Sequence, residues 1–357
     1  MDRAAGAIMG CLVGDALGVG AHWYYDVDVL RQEFGWIDGY TKPKPGRYHE
    51  GQEAGDLSQT GQVCELLLRS LAEVGRHDQD DFTARLDGLL GTLDGSAYSG
   101  RYTDVAMRDV WRGRKARAAH AWPGCQGGPA LLDTAEGAIR AVMLAARYAA
   151  SLGDTARLAM QNVRLTHLDP VVAGQSMSFA ILVAALIQGE SMDADFGKKM
   201  RELAVQQEIP VTHAVLVEER DYITRQPADP TPTMPFPDAL LQVSWVVQAA
   251  RDPTISIPPT KVALLYGLAC SIHFLLPAAY YYTAHFQGRP DHFEIAVLMA
   301  INSGGNNMAR AALTGTAHFP WIAGALVGAI VGLGGIPQRF INGLANGADL
   351  KALALQV

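Results

Sequence analysis

Two-residue hydrophobic alternation and long β-branched runs are scarce in this sequence, which leaves an all-β or α/β architecture with little to build on. Charge is also thin. Charged residues are only 18%, and Asp and Glu (36) outnumber Lys and Arg (29) for a net charge of −7. With Arg112 to Arg117 as the one short basic cluster, this balance argues against nonspecific nucleic-acid binding and against docking on anionic membranes. The four cysteines, Cys11, Cys64, Cys125 and Cys270, are widely spaced and form no Cys-x-x-Cys pair. Neither a zinc site nor a disulfide framework is indicated, and a reducing, cytoplasmic setting fits. No solenoid repeat, heptad or low-complexity tail is present. The apolar run after Arg3 has the outline of a signal peptide, but Asp15 interrupts it and no cleavage region follows. Val262 to Tyr282 approaches the length of a bilayer span, yet His273 and Pro277 lie inside it, so it is expected to be a buried core helix.

What the sequence does have is an apolar fraction of 49%, supplied mainly by Ala, Leu, Val and Gly, over 357 residues. Small residues at that density suit closely packed helices in one large all-helical domain. Residues 4 to 20 read as a helix ending near Gly18 to Gly20. Further helices are expected from about Ser58 to Glu73, Phe82 to Leu93, Leu131 to Ala150, Thr155 to Leu165, Val171 to Gly189, Leu240 to Arg251 and Val262 to His285. Met192 to Glu219 reads as two more helical pieces, and Pro227 to Pro237 as a connection that cannot be helical. Phe293 to Ile301, Ala309 to Thr316 and Ile322 to Val331 complete the set, which closes at Pro337.

Polar breaks in these apolar surroundings are the candidate site. The sharpest is Ile301-Asn302-Ser303-Gly304-Gly305-Asn306-Asn307-Met308-Ala309-Arg310, where two glycines permit a tight turn and two amides and a guanidinium follow. Asp15 places a carboxylate near the end of the first helix, as a reactive acid or as a cap for a neighbouring helix. His22-Trp23-Tyr24-Tyr25-Asp26 follows, an aromatic group that packs a core or stacks on a planar ligand. The irregular stretch Gly35 to Gln59 delivers Glu50, Glu53 and Asp56 to the start of the next helix, where Asp56 or Ser58 is the expected N-cap. Thr166-His167-Leu168-Asp169-Pro170 marks another break, and its histidine is a structural residue or an acid–base group.

Taken in order, these breaks resemble the ADP-ribosylglycohydrolase family, which includes the jellyfish J-type crystallins. The resemblance is carried by Gly10-x-x-x-Gly14-Asp15-Ala16-Leu17-Gly18, Ser58-Gln59-Thr60-Gly61-Gln62, Thr166-His167-x-Asp169-Pro170, Asn302-x-Gly304-Gly305, Gly324-Ala325-x-x-Gly328-Ala329 and Ile336-Pro337. It implies one compact all-α domain over residues 1–357, an orthogonal helical bundle with its site where the loops converge. It also implies two magnesium ions, held by a Thr-Asp-Asp run at the second-helix start and an Asp-x-Asp-Thr run after the late Gly-Gly. Here those runs are Ser58-Gln59-Thr60 and Asn306-Asn307-Met308-Ala309, and an acid expected after the first motif is His22. The segment that often carries Gly-x-x-Met-Arg has only Gly137-Ala138-Ile139-Arg140. Magnesium needs hard oxygen donors, and two adjacent dications need several carboxylates, so the expectation is no metal and no cofactor.

Three functions follow. The first is a divergent hydrolase acting on the glycosidic bond of ADP-ribose or a related ribosyl compound without two metals. Its candidate catalytic groups are Asp56, Asp15, Glu53, His22 and His167, with Asp56 paired to Asp15 or Glu53. Ser58, Gln59, Thr60, Gln62, Gly304, Gly305, Asn306, Asn307, Arg310, Trp23 and Tyr24 are its candidate ligand contacts. The second is a non-catalytic binder or crystallin-like structural protein, in which neutral amides replace buried charge. The third is an enzyme for a different planar substrate, stacked on Trp23, Tyr24, Tyr25 and Tyr281. The expected partner in each ligand-binding case is a small molecule or ADP-ribosyl group. No sequence feature specifies an oligomeric state.

Overall fold

The computed structural model describes residues 2–98, 102–116, 122, 132–206, 242–287, 292–314 and 324–357. These residues form seventeen α-helices and no strand, the all-α architecture expected from the scarcity of alternating runs. The proline-rich stretch 227–237 and the basic, glycine-rich residues 117–121 and 123–126 lie outside the described set.

Helix α1 (Asp2–Val19) is the element around which the others are laid. Every residue from Ala4 to Val19 is buried, so this helix has no solvent face and its polarity cannot alternate. Gly6, Gly10, Gly14 and Gly18 recur every four residues and therefore share one face. A Cβ at Gly10 would stand 2.3 Å from the Gly324 carbonyl oxygen, and one at Gly14 would stand 2.5 Å from that of Ala311. Gly6 and Gly18 are equally tight, at 2.3 Å from the Gly328 oxygen and 2.3 Å from the Met308 Cα. This face lies backbone to backbone against α14 (Asn307–Leu313) and α15 (Gly324–Val331). Two ends of the chain are thereby joined at one crossing.

The other faces of α1 meet α3 (Gln59–Val74) and α6 (Glu136–Arg147). Behind α6 lies α8 (Pro170–Gln188), with α7 (Leu152–Val163) packed on it. Asp169 caps α8 through the Val171 and Val172 amides, with Pro170 at its first turn. By length and composition α8 could cross a membrane, but 83% of its apolar window is packed inside the protein. A second group pairs α9 (Phe196–Val205) with α10 (Gln242–Arg251), and α10 with α12 (Ile272–His285).

Several boundaries differ from those the sequence suggested. The expected helix Val262–His285 is two, α11 (Val262–Tyr266) and α12, because Gly267 adopts φ +129° and Ser271 starts a new cap. Helix α6 starts at Glu136 rather than Leu131, since Thr134 instead forms a β-bridge with Ser271. Helix α2 (Val27–Phe34) follows the aromatic exit His22–Asp26, in a stretch for which no helix was expected, and is capped by Asp26 through the Asp28 and Val29 amides. Past Pro337 the chain continues into α16 (Gln338–Gly343) and α17 (Gly347–Ala354), and α17 packs on α1 and α3. The remaining elements are α4 (Gln79–Leu90), α5 (Val105–Ala116) and α13 (His292–Ile301).

The glycine crossing yields a direct test by chemical denaturation. Gly10→Ala should lower stability by about 2–3 kcal/mol or more, because the contacted atoms are backbone and cannot swing aside. Gly88→Ala, on the exposed side of α4 with nothing within 4 Å, should instead raise stability by about 0.5–1 kcal/mol. Equal effects at the two positions would refute the close-approach account.

Candidate active site

The loop between α13 and α14 is built from the inside. Asn302 is fully buried and its amide is fully used: its Nδ2 donates to the Ile37 and Leu298 carbonyls, and its Oδ1 accepts from Arg31 at 2.7 Å and from the Ile37 amide. Ser303 shares a hydrogen bond with the Tyr282 hydroxyl at 2.7 Å and donates to the Met299 carbonyl. Gly304 and Gly305 both have positive φ, +72° and +65°. Gly305 pairs with the Tyr24 backbone, and a Cβ there would meet the Leu268 carbonyl oxygen at 2.4 Å. These glycines shape the turn, and neither lines the cleft described below.

Arg310 is completely buried and donates to the Ala300 and Gly304 carbonyls. It braces the loop from behind and does not line the cleft, which corrects its expected role in orienting a ligand; burial lowers its pKa. Asn307 likewise faces inward, donating to the Ala21 and Ile301 carbonyls with its Oδ1 unpartnered. Asn306 does reach the cleft, while its Oδ1 accepts from the Ala309 amide as the cap of α14.

The space between the walls of that cleft, open solvent at its mouth included, is about 390 Å³. Ser58, Gln59 and Thr60, at the start of α3, form one wall, and Asn306 and Met308 form another. His22 and Trp23 stack at 5.1 Å and 17°. Tyr102 and His49 complete the aromatic side, with Tyr102 5.7 Å from Trp23 and 5.2 Å from His49. Trp23 is held at φ +61°, a conformation that non-glycine residues seldom adopt. Burial, followed by the neighbouring His49, drives the His22 pKa well below its ordinary value, so its imidazole is neutral near pH 7.

Asp15 lies behind this wall and is not free for chemistry. Its Oδ1 accepts from the Ser58 hydroxyl at 2.6 Å and its Oδ2 from the Ser58 amide at 2.8 Å. Ser58 in turn caps α3 through the Gly61 amide. Of its two expected roles, reactive acid or support for a neighbouring helix start, full burial and occupied oxygens leave Asp15 the second. Asp56 and Glu53 are also corrected. Asp56 closes a local turn through the Glu53 amide, and exposed Glu53 pairs with Lys42. Gln62 donates to the Leu57 carbonyl, outside the cleft. Tyr24 points to Glu33, with Arg47 over its ring at 4.2 Å. Tyr281 is buried against His285, and Tyr25 is largely exposed. Of the expected stacking group only Trp23 lines the cleft.

The acids that do line it are Asp104 and Glu136. Asp104 precedes α5 and accepts from the Met107 amide at 2.8 Å; Glu136 opens α6. Asp104 keeps a partly exposed edge, yet the protein crowds its carboxyl, and burial with the adjacent Glu136 charge pushes its pKa to about 7. Glu136 Oε2 is 3.6 Å from His167 Nε2, and that nitrogen also meets the Thr134 hydroxyl at 3.0 Å. Thr60, Asp104 and Glu136 also border a second cavity of about 290 Å³, into which His167 and Arg140 face. Arg140 is buried on Asn162 and Thr166, and burial lowers its pKa to about 10. Neither acid belongs to a motif singled out in the sequence: Asp104 precedes a helix that was not expected, and Glu136 lies inside the stretch expected to be helical from Leu131. Among the described residues no three His, Cys, Asp or Glu side chains gather closely enough to hold a metal ion.

The Asp15 anchor is testable through pH. Burial raises its folded pKa from 3.8 to about 6, against the opposing bonds from Ser58 and Gly61. Between those values the unfolded chain is ionised while the folded one retains the proton. Asp15 therefore contributes stability that is full below pH 3.8 and is lost as pH rises through about 6. Wild-type stability relative to Asp15→Asn should fall over that window and then level off. A constant difference measured by denaturation from acid to neutral pH would contradict this.

The ADP-ribosylglycohydrolase family model matches residues 1–357. Among solved structures, the chain is similar to an ADP-ribosylglycohydrolase-related protein complex, with a TM-score of 0.58 and 19% identity over 99% of this chain and 96% of that one. At that identity the likeness shows a shared fold. No curated protein sequence matches significantly. With its whole length matched and its loops meeting in one acidic, aromatic cleft, the chain belongs to the ADP-ribosylglycohydrolase family.

Proposed function

We propose that this chain hydrolyses the glycosidic bond of ADP-ribose or a related ribosyl compound with a pair of carboxyl groups, and without a dinuclear magnesium centre. The observation that carries the proposal is the Asp104 and Glu136 pair opening on one cleft, with the Asp104 pKa near 7. Glycoside hydrolysis needs one carboxylic acid to protonate the leaving group and one carboxylate to activate water or attack the anomeric carbon. Asp104 is the acid, because burial and its neighbour's charge keep a proton on it near neutrality. Glu136 is the base, positioned beside His167 and Thr134. Trp23 and Tyr102 offer apolar faces that exclude water from the bond.

The donors at the family's magnesium positions do not suit two dications. Ser58 is committed to Asp15 and Gly61, Gln59 is a neutral amide, and Asn306 caps its own helix. Met308 adds a soft thioether to the lining. With two carboxylates in the cleft, the charge needed to offset two adjacent dications is lacking.

A second reading, a binder without turnover, is favoured by the buried, unpartnered Oε1 of Gln59. Kinetics separates the two. Wild type should release the ribosyl product from ADP-ribosylated model substrates in the presence of EDTA. Glu136→Gln and Asp104→Asn should each lower kcat by about 10²–10⁴. As the acid must be protonated, kcat should fall as pH rises above about 7. Loss of activity in EDTA with recovery in magnesium would sink the metal-free mechanism, and absence of turnover with intact ligand binding would favour the binder.

A further inference from the structure

Arg310 places a guanidinium in the core with no solvent exposure at all. Its Nη1 donates to the Ala300 and Gly304 carbonyls, at 3.2 and 2.9 Å. Its Nε and Nη2 are equally buried and meet no acceptor. These two nitrogens lie along one edge of the guanidinium, the edge that grips an anion with two parallel N–H bonds. One side of the group is therefore committed to the loop, and the other is a fork of free donors inside the protein.

Charge makes the same demand. A guanidinium stays protonated in proteins, and a buried charge is costly unless it is paired. Among the described residues no carboxylate pairs with Arg310, and burial lowers its pKa. The ionisable neighbour that acts on it is Tyr282, whose hydroxyl burial keeps protonated and which is engaged with Ser303 at 2.7 Å. Asn307, three residues earlier on α14, spends its Nδ2 on the Ala21 and Ile301 carbonyls and leaves Oδ1 unpartnered. A water between Asn307 and the fork would supply hydrogen bonds, but it would leave the positive charge unanswered at full burial. An anion in the fork satisfies the donors and the charge together.

We propose that the Nε and Nη2 edge of Arg310 binds a small monovalent anion of the chloride class inside the core, behind the Asn302–Asn306 loop. Complete enclosure selects a compact ion over a phosphate ester or a large carboxylate. Arg310 lines neither of the two cavities that Asp104 and Glu136 border, so this site is separate from the cleft. Its effect is on the loop: an anion that fixes the guanidinium also fixes the Ala300 and Gly304 carbonyls, and with them the turn that delivers Asn306 to the cleft.

The test is thermal unfolding of the full chain in chloride-free buffer, with chloride added at constant ionic strength against gluconate, which is too large to be enclosed. Raising chloride from about 1 to about 100 mM should lift Tm by about 2 °C or more, because a ligand held only by the folded state stabilises it by mass action. Bromide should act like chloride, and crystals grown in bromide should show an anomalous peak within hydrogen-bond reach of Nε and Nη2. Arg310→Met should abolish the chloride dependence, and if that variant does not fold, the wild-type bromide peak still decides. The inference is overturned by a Tm indifferent to chloride, by a water in place of bromide at the fork, or by a chloride dependence that survives in Arg310→Met. None of these readings uses turnover, so the result stands apart from the hydrolase proposal.

Discussion

The contact on which the rest of the molecule depends is the backbone-to-backbone crossing of α1 with α14 and α15. Glycine inside a helix costs about 1 kcal/mol relative to alanine, so a ladder of four has to be offset by what it permits. It permits carbonyl and Cα atoms of the late helices to sit where a Cβ would otherwise be, and close-packed backbone gains dispersion over many atom pairs. The functional consequence is positional. Gly14 and Gly18 abut Ala311 and Met308, so the start of α14 arrives beside the end of α1. Asp15, one residue beyond Gly14, then reaches across to hold the first turn of α3 through Ser58. Both loops that the family resemblance singles out are registered by a single helix.

This registration explains why several polar residues in the motifs belong to the scaffold. Asn302, Asn307 and Arg310 are buried and turned to main-chain carbonyls. A loop with two positive-φ glycines leaves carbonyl groups without helical partners, and buried carbonyls need donors. Amides and a guanidinium supply them. The charge in the cleft comes instead from the opposite wall, where Asp104 and Glu136 stand at the starts of α5 and α6.

Much of this was legible in the sequence, and the failures have physical causes. The central helix could be read from glycines spaced by four in an apolar run, and α3 and α8 from their caps and apolar faces. The convergence of the polar breaks was legible too, since His22, Trp23, Ser58, Gln59, Thr60 and Asn306 do share a cleft. Their neighbours in sequence do not. Tyr24 points away from Trp23 because successive residues along a turn face different ways, and Gln62 is drawn off by the Leu57 carbonyl, to which its amide donates. Asp56 and Asp15 were indistinguishable from Asp104 and Glu136 by type alone. What separates them is tertiary: Asp15 meets donors brought from 43 residues away, whereas Asp104 meets another acid. The split of α11 from α12 was hidden for a similar reason, since apolar residues run on through Gly267 while the break rests on its positive φ, the Ser271 cap and the pairing of Ser271 with Thr134.

The acid pair divides two cavities, and that division orders the remaining groups. Trp23, Tyr102 and Asn306 face the outer cleft, while Arg140, Thr166 and His167 face the inner one; Thr60, Asp104 and Glu136 belong to both. Under the proposed function a ligand enters from the aromatic side, and the inner cavity adjoins the acids from behind. His167 bonds Thr166 through Nδ1 and Thr134 through Nε2, so both ring nitrogens are fixed and the imidazole cannot rotate. Glu136 Oε2, 3.6 Å from Nε2, makes no hydrogen bond to this ring and is left without a partner on the border of the two cavities. The midchain Thr-His motif thus builds the wall of the inner cavity, and the two acids that border it lie outside every motif that carried the family resemblance.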